Sequence, residues 1–273
     1  MTYKQNLHTH TVRCDGIDTP EEMIKAAIEK GFDSIGFSGH SHMKYSSYDH
    51  ITHETTRAYR DEIYALKRKY KGQIDIFCGL EYEMLCDDSK EGWEYMIGST
   101  HYLKKDGEVF SIDLNPERIM KVKNERFGGD GLELAKCYYE HLASLPDYGN
   151  FDIIGHFDLI AKNVYSVPLF DPESKEYMSY ATSAMDALKG RIALFEVNTG
   201  AVARGYRRTP YPSMSLLREL KARGFGAVIS SDCHDARHLD LLFDECTDML
   251  EACGFKEKFV LTENGFKAIG LRD

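Results

Sequence analysis

Nine His, Asp and Glu side chains stand at or just beyond the ends of short apolar runs in this chain. Mixtures of neutral imidazole and carboxylate are the ligands that zinc, iron and manganese sites use. Because His far outnumbers Cys in these segments, we expect coordination positions to stay open for water and substrate, as in a catalytic site. The nine candidate metal ligands are His8, His10, Asp15, His40, Glu81, His101, His156, Asp232 and His234.

Four other histidines lack this context. His50, His53, His141 and His238 do not follow an apolar run, and we expect them in helices or at the surface. Cys233 lies between two of the candidate ligands. Because side chains alternate along an extended segment, Asp232 and His234 are expected on one side and Cys233 on the other, where it would pack.

Seven apolar, β-branched or aromatic runs predict the strands that position the ligands. They cover residues 3–8, 34–37, 74–80, 95–99, 151–154, 192–197 and 226–230. The clearest helix between them begins at Thr19 and Pro20, where Glu22 completes a capping box, and Gly31 ends it. Further helices are predicted over residues 54–70, 131–145, 173–188, 213–223 and 238–253, with a glycine directly after each of the last two.

Apolar strands that alternate with helices indicate an α/β fold with a parallel sheet. In a closed (β/α) barrel the carboxyl ends of all strands meet on one face, and the candidate ligands lie at that end of six strands. An open sheet would hold them too far apart. We therefore predict one barrel of about seven to eight strands, spanning residues 1–273 as a single domain.

Composition narrows the class of protein. The chain of 273 residues has 42% hydrophobic and 29% charged residues, as globular enzymes do. The first motif begins directly after the N-terminus and no apolar run is long enough to span a membrane, so we expect a cytoplasmic protein without a signal peptide. A net charge of −10 argues against nucleic-acid binding. Seven cysteines without paired spacing argue against disulfides and against a zinc ribbon.

The motifs together resemble a known superfamily. His8-Thr9-His10, Gly39-His40-Ser41, Gly79-Leu80-Glu81, Ser99-Thr100-His101-Tyr102, Gly155-His156-Phe157-Asp158 and Ser231-Asp232-Cys233-His234 are similar to the motifs of the PHP (polymerase and histidinol phosphatase) superfamily. The length, the segment Asn198-Thr199-Gly200 and the Arg-bearing loop before Pro210 resemble its histidinol-phosphate phosphatases. The resemblance covers nearly the whole chain.

This resemblance implies a distorted, TIM-like (β/α)7 barrel that holds two to three divalent metal ions, Zn, Fe or Mn, at the carboxyl ends of its strands. It implies one metal on His8, His10, Glu81 and Asp232. Glu81 would bridge to a second metal on His101 and His156, and Asp15, His40 and His234 would hold a third.

Residues beyond the ligands are predicted to act on the substrate. Arg grips tetrahedral oxyanions through two donors, so Arg204 is the first candidate for phosphate binding, followed by Arg207 and Lys162. His42 or Asp158 is predicted to protonate the leaving group or to contact the substrate. For an imidazole and an amine to be recognised, Asp158, Glu83 and the Asp87-Asp88 pair are candidates, and the sequence does not choose among them.

Two divalent ions about 3.5–4 Å apart activate water and clamp a phosphoryl group, which suits phosphomonoester hydrolysis with Glu81 and Asp232 at its centre. The first hypothesis is therefore hydrolysis of L-histidinol phosphate in histidine biosynthesis. The second is another PHP phosphoesterase, acting on a nucleotide, a sugar phosphate or phosphotyrosine. The third is a non-catalytic metal-binding module. The expected partner is a small phosphomonoester, not nucleic acid or a membrane, and the oligomeric state stays open.

Overall fold

A computed structural model describes residues 3–43, 45, 50–86 and 89–273 of the chain. Asp87 and Asp88 lie outside the described residues. The strands are β1 (Gln5–Asn6), β2 (Ser34–Phe37), β3 (Asp75–Glu83), β4 (Tyr95–Ser99), β5 (Tyr102–Lys105), β6 (Glu108–Ser111), β7 (Ile153–Ile154), β8 (Leu194–Asn198), β9 (Gly226–Ser230), β10 (Glu257–Thr262) and β11 (Gly265–Gly270). The helices are α1 (Pro20–Glu29), α2 (Thr56–Lys69), α3 (Pro116–Arg126), α4 (Gly131–Ala143), α5 (Lys175–Leu188), α6 (Gly200–Ala203), α7 (Met214–Arg223) and α8 (Phe243–Ala252).

Seven strands form one parallel sheet in the order β1-β2-β3-β4-β7-β8-β9. Beyond the two edge strands the chain closes with a parallel bridge between Thr9 and Cys233, where the His10 N–H donates to the Cys233 carbonyl at 2.9 Å. The predicted α/β barrel with seven strands is thereby confirmed. Cys233 is buried in the core, as predicted from its position between two ligand candidates.

The barrel interior is filled at its centre by Tyr95. Its hydroxyl donates to the Leu7 carbonyl at 2.5 Å across the barrel. Gly36 and Gly79 make room for this ring, because a Cβ at either position would lie within 2.4 Å of it. Interior apolar residues complete the layer below the ligands: Leu7, Phe77, Ile97, Ile153, Leu194 and Val228.

The helices follow the sequence pattern closely. Thr19 and Glu22 form the predicted capping box of α1, and Gly31, directly past its end, has a φ of 71°. The helix predicted from residue 238 begins later, at Phe243, because residues 236–238 form a separate 3-10 turn. None of the helices in the described part of the chain has the length and apolarity needed to cross a membrane.

Two antiparallel hairpins and α3 were not predicted. The hairpin β5–β6 turns at Asp106 and Gly107, both with positive φ, which is the usual signature of a two-residue hairpin turn. It leads into α3, and the two form an insertion after β4. The hairpin β10–β11 packs at the opposite end of the barrel, where Gln5 at the start of β1 exchanges hydrogen bonds with Leu261.

Candidate metal centre

The nine candidate ligands converge at the carboxyl ends of the strands. Glu81 lies within β3. Seven of the others follow β1, β2, β4, β7 or β9 by two to four residues, and Asp15 follows β1 by nine. Three groups of them present ligand atoms within 4.8 Å of one another: His10, Asp15, His40 and His234; His8, His10 and Asp232; and His40, Glu81 and His101. His10 belongs to the first two groups and His40 to the first and third, and His156 contacts Glu81, so the nine ligands form one continuous centre.

Glu81 lies in the middle of this centre, and its two oxygens face different neighbours. Its Oε1 lies 3.0 Å from His156 Nε2 and 3.3 Å from His101 Nε2. Its Oε2 lies 3.3 Å from His8 Nε2 and 2.8 Å from His40 Nδ1. A carboxylate with one oxygen toward each of two sets of imidazoles has the geometry of a bridging ligand.

The end of β9 supplies Asp232 and His234. Asp232 Oδ1 lies 3.2 Å from His10 Nε2 and 3.6 Å from His8 Nε2. His234 Nε2 lies 3.2 Å from Asp15 Oδ2, which is also 3.5 Å from His40 Nε2. The premise of an extended segment is wrong here, because Asp232 has a φ of 48°, a left-handed conformation that residues with a Cβ rarely adopt. Such strain is typical of functional sites.

Several ligand atoms are buried without a hydrogen-bond partner. Among the described residues these include His8 Nε2, His10 Nε2 and Asp15 Oδ1. Leaving a buried polar atom unpaired costs about 1–3 kcal/mol, so such atoms rarely persist without a function. Their mutual proximity and their mixture of imidazole nitrogen and carboxylate oxygen fit a divalent metal ion.

The pKa shifts agree with a site that binds cations. Burial lowers the pKa of His8, but the surrounding carboxylates, Glu196 first, raise it well above its ordinary value. The pKa of Glu81 stays well below its ordinary range despite burial, because His8 and His40 surround it. Burial and the neighbouring His234 and His40 lower the pKa of His10 to about 3. A divalent ion would replace the protons that His8 otherwise shares with the carboxylates.

Two further carboxylates contact the ligands. Glu196 Oε2 lies 2.9 Å from His8 Nδ1, and Glu83 Oε2 lies 3.2 Å from His101 Nδ1. Carboxylates in such positions orient ligating imidazoles. The sequence predicts Glu83 only as a possible substrate contact and gives no role to Glu196. Both residues are glutamates within an apolar strand. The sequence signal for their role was this position, because a buried carboxylate needs a partner.

A cavity of about 360 Å³ opens beside the centre. Its wall carries the cations Arg118, Lys162 and Arg204, and the carboxylates Glu83 and Asp113 in addition to ligand candidates. The insertion after β4 provides much of this wall. From the predicted phosphate-binding set, the structure places Arg204 and Lys162 on the cavity, with Lys162 Nζ 2.6 Å from Asp113 Oδ1.

Arg207 and Asp158 are not among the residues that line this cavity. They pair with each other, Nη1 to Oδ2 at 3.0 Å, and both side chains are almost fully buried. The segment that carries Arg207 folds back onto the Asp158 loop, and each side chain neutralises the other's charge. The roles predicted for them at the substrate therefore have no support from the geometry.

His42 is also absent from the cavity wall. Its ring packs on His50 and His53, with centroid distances of 4.9 and 4.6 Å, and its Nδ1 lies 3.0 Å from His50 Nε2. After Ser41, whose N–H donates to the Glu81 carbonyl, the chain no longer follows the sheet. The alternation of side chains along an extended segment therefore does not continue from His40 to His42. Instead His50, expected in a helix or at the surface, lines the cavity.

Comparison with known proteins finds relatives that carry the same name. The chain is 29% identical over 268 residues to a probable histidinol-phosphatase of Deinococcus radiodurans, covering 93% of this chain and 95% of the relative. It is 29% identical over 260 residues to a probable histidinol-phosphatase of Schizosaccharomyces pombe, covering 86% and 81%.

Solved structures show the same fold. A histidinol phosphate phosphatase of Lactococcus lactis, solved in complex with zinc, L-histidinol and phosphate, is similar with a TM-score of 0.75 at 19% identity, over 97% of this chain and 98% of that one. A putative histidinol phosphatase of Listeria monocytogenes also has a TM-score of 0.75, at 20% identity over 89% and 99%. The family model of the PHP domain matches residues 6–200. The chain therefore belongs to the PHP domain family.

Proposed function

We propose that the protein is a metal-dependent phosphomonoesterase that hydrolyses L-histidinol phosphate to L-histidinol and phosphate in histidine biosynthesis. The observation that carries this proposal is a single continuous centre of nine ligand-type side chains, with His156 joined to it through Glu81, at the edge of a cavity with both cations and carboxylates on its wall. The names of the curated relatives support the choice of substrate. We further propose one PHP domain over residues 1–273 and a cytoplasmic location.

In this proposal Glu81 would be shared by two metal ions. His8, His10 and Asp232 would hold the first with it, and His101 and His156 would hold the second with it. Asp15, His40 and His234 would hold a third. Zinc, iron or manganese bound there would activate water and neutralise phosphoryl charge.

The chain's own residues bind the rest of the substrate. Arg204, which lines the cavity and contacts Asp232 and His234 through its two terminal nitrogens, would bind phosphate oxygens with its remaining N–H groups. Lys162 provides a second cation on the wall. Asp113 presents a carboxylate to the cavity, where it can accept hydrogen bonds from an ammonium or imidazole group.

The test is phosphate release from L-histidinol phosphate beside nucleoside, sugar and tyrosyl phosphates, with the enzyme loaded separately with manganese, zinc and iron. We expect a strong preference for L-histidinol phosphate. Even turnover across the panel would keep a PHP phosphoesterase and reject this substrate. Bound metal with no hydrolysis even of an activated aryl phosphate would support the non-catalytic module instead.

A further inference from the structure

We propose that Glu196 is a positioning residue that fixes the proton and the ring orientation of His8, so that His8 Nε2 is free to bind metal. This inference rests on the metal centre of the proposed function. Glu196 would touch neither metal nor substrate. It would act through His8 and through the backbone of His156, two residues whose rings face different oxygens of Glu81.

The first contact is with His8. Glu196 lies in β8 and is fully buried, with Oε2 2.9 Å and Oε1 3.2 Å from His8 Nδ1. A carboxylate only accepts hydrogen bonds, so His8 Nδ1 must carry a proton. In the metal-binding form of the ring, Nε2 then has its lone pair free, and it points toward Glu81 and Asp232 without a hydrogen-bond partner.

The second contact is with the loop that carries His156. Glu196 Oε1 accepts the His156 N–H and the Asn198 side-chain amide, both at 2.7 Å. Asn198 is itself held by the Gly200 N–H, which donates to its Oδ1 at 2.8 Å. All three groups that face Glu196 are therefore donors, and only a group with two acceptor oxygens can satisfy them together.

This arrangement makes Glu196→Gln a sharp test, because Gln has the same shape and a different hydrogen-bond pattern. If its oxygen accepts from His156 and Asn198, its NH2 group faces His8 Nδ1. His8 would then have to accept at Nδ1 and carry its proton on Nε2, where it blocks metal binding. If the amide is turned over, its NH2 group meets the two other donors.

The experiment measures zinc bound by the metal-stripped full-length protein, through metal analysis after dialysis and through competition with a chromogenic chelator. Loss of a group that orients a ligand typically weakens metal binding about 10- to 100-fold. We expect Glu196→Gln to lose affinity in this range and to retain fewer zinc ions than the wild type. Unchanged zinc content and affinity would overturn the proposal.

Glu94→Gln is the matched control. Glu94 also accepts a strand N–H, that of Cys78 at 2.7 Å, and a side-chain donor, Lys67, but it precedes β4 at the opposite end of the barrel. This variant should bind zinc as the wild type does. Equal weakening in both variants would mean a general loss of structure and would overturn the specific role.

Glu196→Asp keeps the test decisive if Glu196→Gln folds poorly. Asp is shorter but accepts only, so the proposal expects it to bind zinc more tightly than Gln does. The reverse order would show that side-chain volume matters and that acceptor character does not. Because zinc binding is read without substrate, failure to hydrolyse L-histidinol phosphate would reject the proposed function and leave this inference standing.

Discussion

Arg204 joins two candidate metal ligands through one guanidinium group. Its Nη2 lies 3.0 Å from Asp232 Oδ2, and its Nη1 lies 3.1 Å from His234 Nδ1. Gly200 allows this approach, because a Cβ there would lie 2.6 Å from Asp232 Oδ2 and 2.9 Å from Arg204 Nη2. The side chain remains 34% exposed on the cavity side. The same residue thus supports the metal centre and presents positive charge to the substrate.

Replacing Arg204 by Lys should lower activity while metal stays bound. Lys keeps the charge but loses the planar two-pronged contact. Hydrogen bonds to charged groups are worth about 1.5–3 kcal/mol, which corresponds to a loss of roughly 10- to 100-fold in kcat/KM. Steady-state kinetics with metal analysis on the same samples would measure this. Arg208→Lys, an exposed position in the same loop, is the control. An unchanged kcat/KM for Arg204→Lys would reject the phosphate contact.

Glu81→Ala should be more damaging than His40→Ala. In the proposed centre Glu81 would contribute to both inner metal positions, the one on His8, His10 and Asp232 and the one on His101 and His156. His40 would belong to the outer position with Asp15 and His234. We expect Glu81→Ala to lose metal from both inner positions and roughly a thousandfold or more in kcat, since metal-ion charge stabilisation is worth several kcal/mol. Metal analysis and phosphate release would test both variants, with His141→Ala on α4 as a control that keeps its metal. Similar losses for Glu81→Ala and His40→Ala with unchanged metal content would contradict the bridging role.

The sequence was sufficient to predict the barrel and the convergence of the ligands. The reason is that both follow from one local pattern: a polar ligand after an apolar strand, repeated along the chain. Parallel strands in a barrel bring such positions together whatever the details of the helices. His101 and His156 were therefore predictable as neighbours although they are 55 positions apart.

Other parts of the site depend on long-range pairing that no local pattern reports. A cavity wall built by an insertion, such as the segment that carries Asp113, depends on how that segment folds back over the barrel. Charged residues near a motif are equally ambiguous, because a lone Arg looks the same whether it faces substrate or a buried partner. Arg207 and Asp158 show this, since only the tertiary structure pairs them.

The buried pair of Arg207 and Asp158 should matter for stability. Removing one partner of a buried ion pair typically costs about 3–5 kcal/mol, because the other charge is left unpaired. We expect Arg207→Ala to lower the free energy of unfolding by this amount in urea titrations. Arg191→Ala, which breaks an exposed pair with Asp147, should cost about 1 kcal/mol or less. Wild-type stability together with a raised KM in Arg207→Ala would restore the substrate role predicted from the sequence.

Asp113 should distinguish a phosphate substrate that carries an amine from one that does not. Its carboxylate contacts Lys162 through Oδ1, and the side chain is 34% exposed on the cavity. Loss of one charged hydrogen bond predicts a rise in KM of roughly tenfold for L-histidinol phosphate in Asp113→Asn. Phenyl phosphate, which has no amine, should be hydrolysed with an unchanged KM.

The control for Asp113→Asn lies on the hairpin that precedes Asp113. Asp106 is exposed at the β5–β6 turn, and Asn tolerates its positive φ. Asp106→Asn should leave both substrates unaffected. A KM that rises equally for both substrates in Asp113→Asn would show that Asp113 shapes the wall without contacting the amine.

Above about pH 6.5, the free energy of unfolding should depend more strongly on pH in the metal-free protein than in the metal-loaded protein. In the metal-free fold the pKa of His8 and that of His40 lie well above the ordinary value, because neighbouring carboxylates outweigh burial. A raised folded pKa contributes stability that is complete below the unfolded pKa of about 6.5 and is lost as the pH rises through the folded value. The metal-free protein should therefore lose unfolding free energy above about pH 6.5.

His10 does not change the sign of this effect. Its pKa is lowered to about 3, so its destabilising contribution is confined to pH values below about 6.5, where the unfolded chain binds a proton that the fold excludes. Urea titrations of EDTA-treated and zinc-loaded protein between about pH 6.5 and 9 would separate the two forms, since bound metal replaces the proton on each imidazole. His8→Gln without metal should lose part of the pH dependence. Parallel profiles for the stripped and loaded wild type would show that these imidazoles are not charged in the metal-free fold.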